Sequence, residues 1–501
     1  MLNPPLRLIG LIAIAGWIAG CATVGPSFRP PAAPAARGYT RTALPAATAS
    51  APGPLGRAQA FVTVPRVERD WWHTFGSAKL DALIGRAQRD SPTLAAAVAT
   101  LREARQLVAA QAGSTRYPTI DAKLGANREE VNGASIGQPR IPQSTFTLFN
   151  AAIGVSYDFD AFGGNRRALE ALAAQADYRA CLLAGARLTL AANVATTAFA
   201  EAQVRAEIEA TRAILAAERR QLDIARRGER LGTASRADVL ALQTEVEQTR
   251  ASVPPLRNRL EQAAHLLAVL AGRPPGTDDV PRFALSDFRM PVRLPMVVPS
   301  DVVRERPDVQ AATALLHAAT AQYGVAVSNL YPHLNLSASL GTAALTTSAL
   351  FGPGSAIWSL AGGLAQPLFN AGLRAGASAA EASMQAVGAT YRQTVLQALR
   401  DVADALRQVD NDARVLRREA AAYASARQTL DLVHRQTLIG TASTLQWLDA
   451  DRQLEQIRLS LIAARAAKLA DSAALYQAMG GGVFPGGLAA SAPRAATPGT
   501  R

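Results

Sequence analysis

Few residues of this chain stand at a spacing that could do chemistry, and most of those lack partners. Gly133–Gly137 reads G-A-S-I-G, which matches the G-x-S-x-G pattern of a nucleophilic serine on a sharp strand-to-helix turn. Here it falls in a Gly-, Asn- and Pro-rich loop between two alternating segments, with no helix after it to expose the hydroxyl. The five histidines, His73, His265, His317, His333 and His434, show no metal-ligand spacing. No glycine-rich phosphate loop is present. Catalysis is therefore not expected, and neither is a metal or a diffusible cofactor.

Cys21 differs. Arg7 supplies a short positive region, and Leu8–Trp17 is an apolar run too short to cross a bilayer as a mature helix. Ile18, Ala19 and Gly20 then place a branched apolar residue and two small ones directly before Cys21, which is a lipoprotein signal-peptidase box. Cleavage there removes residues 1–20 and leaves Cys21 as the acylated first residue, so the expected covalent group is a lipid. The only other cysteine, Cys181, sits in a helical pattern and reads as a small buried apolar residue. No disulfide framework can be built.

The 501 residues are 49% hydrophobic but only 5% aromatic, a composition that favours long helices. The net charge of +13 is carried almost wholly by arginine, with lysine only at 79, 123 and 468. The arginines are spread along helical segments beside Glu and Asp rather than clustered with aromatics. That pattern fits solvated helix faces or an aqueous lining and argues against nucleic acid.

The chain says one thing twice. Residues 222–252 and 430–460 share 12 identities over 31 ungapped positions, including G-T-A-S at Gly232–Ser235 and Gly440–Ser443. Around each copy the order is the same: helix, two strands, long helix, turn, helix. Helices are expected over about 77–114, 163–229 and up to about 271, then again over about 307–329, 371–438 and up to about 479. Strands are expected where the period changes to two. Ile120 and Leu124 alternate with Asp121 and Lys123, and Ile153, Val155, Tyr157 and Phe159 alternate with Gly154, Ser156 and Asp158. In the second repeat Leu334, Leu336, Ala338 and Leu340 share a face, as do Trp358, Leu360, Leu364 and Leu368.

The helix after each G-T-A-S turn carries a coiled-coil seam at steps of three and four. It runs Val239, Leu242, Val246, Thr249, Val253, Leu256, Leu260, Ala263, Leu267 and Leu270 in the first repeat. In the second it runs Trp447, Ala450, Leu454, Ile457, Leu461 and Ala464. Pro254–Pro255 should kink or break the first of these helices. The segments divide as 1–20 signal peptide, 21–69 lipidated tether, 70–275 first repeat, 276–298 linker, 299–480 second repeat and 481–501 tail, read as disordered.

Strands of roughly ten residues suit a bilayer crossing, but a spanning sheet cannot keep open edges in lipid. Four strands cannot close a pore, so each chain must supply part of a shared barrel. A 67-residue helix at 1.5 Å per residue extends roughly 100 Å. Gly232 and Thr233, and Gly440 and Thr441, then form the tips of two long helical hairpins, with Ser235 and Ser443 capping the returning helices.

With these features the chain resembles the outer membrane factors, the TolC- and OprM-like efflux ducts, in their lipoprotein, NodT-type branch. The matching stretches are C-A-T-V-G-P-S-F-R-P-P from Cys21, W-W-H-T-F-G-S-A-K-L-D-A-L-I from Trp71, Leu294–Ala312 with its R-P-D-V element, Q-P-L-F-N-A-G-L-R-A-G from Gln366, and the paired tips. The resemblance covers nearly the whole mature chain. It implies a mainly α fold with a membrane β-barrel portion: a homotrimer pools four strands per chain into a 12-stranded barrel continued by an α-helical periplasmic tunnel.

It further implies a passive exit duct in the outer membrane, anchored in its lipid and serving an inner-membrane pump through a periplasmic adaptor. Side chains just after the second tip close the periplasmic end in this family, and they fall on Asp449 and, one turn earlier, Leu445. A second acidic position of some members falls on Gln446, and Asp238 occupies the corresponding place in the first repeat. Two alternatives stand beside this one: a lipid-anchored periplasmic coiled-coil adaptor or structural protein without a pore, and the exit duct of type I protein secretion. Two hairpins per chain and four strands with lipid-compatible faces favour a duct over the adaptor, and leave export of small molecules and of proteins both open.

Overall fold

Period-two alternation and three-four spacing give rise to two kinds of element in the structure, a computed structural model that describes residues 23–32, 38–132, 142–277 and 279–482. The signal peptide, Cys21, the G-A-S-I-G match and residues 483–501 of the tail lie outside the described residues. In chain order the elements are β1 (Ala60–Thr63), α1 (Ala78–Asp90), α2 (Pro92–Arg116), β2 (Thr119–Val131), β3 (Ser144–Phe159), α3 (Gly164–Arg230), α4 (Arg236–Leu270), β4 (Arg293–Met296), α5 (Pro299–Glu305), α6 (Pro307–Ser328), β5 (His333–Ala344), β6 (Ala356–Ala365), α7 (Ala371–Leu438) and α8 (Thr444–Ala478). They divide between two units. One comprises the described residues of 1–31, 101–178 and 312–391; the other comprises those of 32–100, 179–311 and 392–501.

The first unit contains a four-stranded antiparallel sheet in the order β2-β3-β5-β6. Its register aligns the apolar positions across all four strands. Ile120 pairs with Val155, Val155 with Ala338 and Ala338 with Leu360, while Ala122, Ile153, Leu340 and Trp358 form the next row. The opposite face is small and polar, with Thr119–Ser156 at 2.6 Å, Ser339–Ser359 at 2.7 Å and Asn335 donating to Asp158 at 2.7 Å. Gly341 allows β3 and β5 to approach, since a Cβ there would meet the Ala151 carbonyl oxygen at 2.3 Å. The apolar face is uncovered: Leu124 is 83% exposed, Trp358 77% and Leu360 75%.

In the same unit, Asp160 caps α3 by accepting from the backbone N–H of Asn165 and Arg166 at 3.0 and 2.9 Å. Residues 23–28 are docked rather than free. Buried Arg167 donates to the carbonyls of Val24 and Gly25, both at 3.3 Å, and Phe28 stacks on His317 at 4.4 Å. His317 in turn contacts Glu170 at 2.8 Å. Arg167 binds main-chain oxygens, so nothing in the Pro- and Ala-rich composition announces the contact.

The second unit packs around aromatic rings of the W-W-H-T-F stretch. Trp71 stacks on Tyr476 at 5.4 Å, Phe75 meets Phe199 at 5.0 Å, and Phe199 meets Phe288 edge-on at 4.8 Å. Arg306 of the R-P-D-V element is buried and joins three helices. It pairs with Asp308 at 2.7 Å and Asp401 at 3.2 Å, and donates to the Ala478 carbonyl at 2.9 Å.

Four local expectations differ from the structure. The run 77–114 is two helices, because Pro92 removes an N–H and holds Ser91 extended at ψ 122°. The helix through Pro254–Pro255 does not break; α4 is continuous from Arg236 to Leu270. Both prolines and the carbonyl-bearing Arg250 and Ala251 lie on the exposed face, while Val253 keeps the seam buried. Order begins before Asp70, with β1 pairing in parallel with β4. The 276–298 connector is likewise ordered, held by buried Phe283, Phe288 and Leu294.

Candidate functional site

Each hairpin tip is closed by two local motifs that recur 208 residues apart. At the first, Gly232 adopts φ +74° and donates to the Glu229 carbonyl at 3.1 Å, while Thr233 N–H reaches Gly228 O at 2.8 Å. At the second, Gly440 adopts φ +76° and donates to Thr437 O at 3.2 Å, while Thr441 N–H reaches Gln436 O at 2.9 Å. This pair of bonds is a Schellman ending, and it requires the left-handed backbone that glycine adopts without penalty. The threonine hydroxyls add a bond to the same carbonyls, each at 3.2 Å.

The chain then restarts with a capping box. Ser235 Oγ accepts from Asp238 N–H at 3.1 Å and Asp238 accepts from Ser235 N–H at 3.1 Å. Ser443 and Gln446 repeat the pattern at 3.2 and 2.8 Å. Asp238 and Gln446 therefore do the same job at equivalent positions. Hydrogen bonds from the Ser235 hydroxyl and then its backbone N–H hold the Asp238 carboxyl below the usual aspartate range. The difference between the copies at this position exchanges one capping acceptor for another.

Leu445 and Asp449 stand one turn apart on α8, both exposed. Asp449 Oδ1 lies 3.3 Å from Arg452, whose other guanidinium nitrogen lies 3.0 Å from Glu245 on α4. Arg452 thus joins the two hairpins of the chain. Beneath it an apolar cluster does the same, uniting Leu222 of α3 with Val239, Leu242 and Val246 of α4 and Leu448 of α8. Trp447 packs against this cluster and meets His434 at 5.2 Å, in keeping with its place in the seam. Buried Glu218 accepts from the Thr249 hydroxyl at 2.8 Å, and its second oxygen has no donor. Burial raises its carboxyl, as it does those of Asp451 and Glu455 nearby on α8.

Sequence reasoning finds the tips, the serine caps and the seam. It misses Glu245, Arg452 and Glu218. The capping boxes are readable as S-x-x-D and S-x-x-Q, but a contact between positions 245 and 452 has no local signal. Leu231 and Ile439, 79% and 75% exposed, add an apolar side chain to each tip. The tip residues form a packed and charged end.

The family model of the outer membrane efflux proteins matches residues 83–273 and 298–481, one segment for each repeat. The chain belongs to the outer membrane efflux protein family. It is 31% identical over 422 residues to the pyoverdine export outer membrane protein OpmQ of Pseudomonas aeruginosa, covering 83% of this chain and 87% of the relative. It is 28% identical over 472 residues to the solvent efflux pump outer membrane protein SrpC of Pseudomonas putida, covering 93% and 96%. The solved outer-membrane channel OprN superposes with a TM-score of 0.80 at 25% identity, covering 92% of this chain and all of that one. The efflux channel reading of the sequence is therefore correct, and the chain is an outer membrane transport protein.

Proposed function

We propose that three copies of this chain join β6 of one to β2 of the next, making a 12-stranded barrel that serves as the exit duct of a tripartite efflux system. One observation carries this reading: the four-stranded sheet has a continuous uncovered apolar face and two unpaired edges. In lipid the apolar face is satisfied, and closure with two further copies pairs every edge. The small polar face then lines the water-filled lumen. A periplasmic adaptor and an inner-membrane pump complete the path, and acylated Cys21 anchors each chain in the outer membrane.

The hairpin tips form the periplasmic mouth. Leu445 and Asp449 supply the closing side chains, and three copies of Asp449 around one axis make an acidic ring that attracts cations. Asp238 stays with the helix cap. Purified from outer membranes, the protein should run as a heat-resistant trimer and conduct ions in planar bilayers. A Cys21→Ser variant recovered as a soluble monomer would refute the duct, because only the sheet would then be holding it in the membrane.

A further inference from the structure

One pair of opposite charges stands on the polar face of the four-stranded sheet, and the proposed function leaves it unused. Asp121 and Lys123 of β2 are exposed and lie on the side that carries the Thr119–Ser156 and Ser339–Ser359 hydroxyl pairs. The register sets each in a row of mostly small side chains. Asp121 is level with Gly154, Ser339 and Ser359, and Lys123 with Ala152, Gly341 and Ile357. Among the strand positions that share this face, the other titratable groups are Glu129, Asp158 and His333, all nearer the strand ends. Asp158 accepts from Asn335, and Glu129 accepts from Asn127.

Distances along the strands decide which of these charges act on one another. Residues on one face of a strand repeat about every 7 Å, so Asp121 and Lys123 are about 7 Å apart. Asp158 lies two rows from Asp121, about 13 Å along the sheet, and Glu129 three rows from Lys123, about 20 Å. His333 is one row beyond Asp158. Water at about 0.1 M salt screens a charge within about 10 Å. Each member of the pair therefore feels the other and little else of its own chain. Closure of the barrel adds no further charge, because the β6 residues brought beside β2 on this face are Ile357, Ser359, Ala361 and Gly363. The next copy of the pair is four strands away, about 19 Å around the wall.

We propose that Asp121 and Lys123 form a compensated doublet that keeps the barrel lumen indifferent to the sign of its cargo, so that anionic and cationic small molecules pass alike. The inference rests on the duct reading, since only a closed barrel turns this face into a lumen. Three copies then set three carboxylates and three ammonium groups in two adjacent rings whose potentials cancel toward the axis. Either ring alone draws in ions of the opposite sign and repels those of its own. Lys123 is the one permanent cation among these positions, so its loss leaves nothing to offset Asp121.

Reversal potentials of single channels under a KCl gradient, with about 0.1 M on the dilute side, test the doublet. Lys123→Gln should raise the potassium-to-chloride permeability ratio about twofold or more, and Asp121→Asn should lower it about as far. The double variant should return to the wild-type ratio, since it removes both rings and leaves the hairpin tips untouched. A single variant that keeps the wild-type ratio, or two that shift it in the same direction, would overturn the doublet and leave the duct standing. A wild-type protein that forms no channel at all would overturn the duct reading, and the doublet with it.

Discussion

Arg452→Gln should open the channel, and the size of the effect can be worked from the tip. Arg452–Glu245 at 3.0 Å is the ion pair that ties α8 to α4, whereas Arg452–Asp449 lies within one helix. Both partners are substantially exposed, 44% and 37% at the side chain, so each link is worth only about 0.2–1 kcal/mol. A three-fold assembly has three such links. If all must yield together, their sum is about 0.6–3 kcal/mol, which shifts the open-to-closed ratio by about 3- to 150-fold. The assay is single-channel recording in planar bilayers at low salt. Arg452→Gln should lengthen or multiply openings, Arg452→Lys should restore most of the closed time, and raising the salt should shrink the wild-type difference through screening. An Arg452→Gln channel with wild-type opening at low salt would refute the idea that this bridge resists opening.

Other outcomes follow from the same structure. Gly440→Ala forces an L residue to φ +76° and should weaken the second tip by about 1–2 kcal/mol, seen as faster hydrogen exchange confined to the residues around 436–446. Trp358→Arg on the apolar face should cost about 2–4 kcal/mol near the bilayer centre and cut the amount of trimer in the outer membrane. Ser359→Arg, one residue on and facing the other way, should leave that amount unchanged and alter conductance instead. Stability should fall as pH rises from about 4 to about 8: Asp412 titrates at about 8 when folded against a reference of 3.8, so the folded state holds the extra proton in that window. Asp412→Asn should reduce that slope in pH-dependent thermal unfolding, leaving the part due to the raised carboxyls of Glu218, Asp451 and Glu455.

Much of this fold is legible in the sequence because its signals are local. The strand alternation puts Ile120, Ile153, Leu340 and Trp358 on one face, and the register confirms it. The α4 seam marks Val239, Leu242, Val246, Val253 and Leu267, all of them buried. The tips are encoded within about ten residues, since a Schellman ending and a capping box need only Gly and Ser at fixed offsets. What escapes reading is carried by distant pairs or by main-chain recognition. Arg452–Glu245, Lys468 with Arg57 O, and Arg167 with Val24 O each join positions more than a hundred residues apart. Proline rules also fail where tertiary packing wins: the buried seam carries α4 through Pro254–Pro255, both of which lie on the exposed face.

The use of the two free edges of the sheet decides whether this chain builds a closed duct. Cryo-electron microscopy of the protein extracted from outer membranes shows this directly. Three-fold particles in which β6 of each chain hydrogen-bonds to β2 of the next, closing 12 strands around an open lumen, are the expected result. A membrane-extracted particle with any edge strand left unpaired, or closed by a different number of copies, would contradict it.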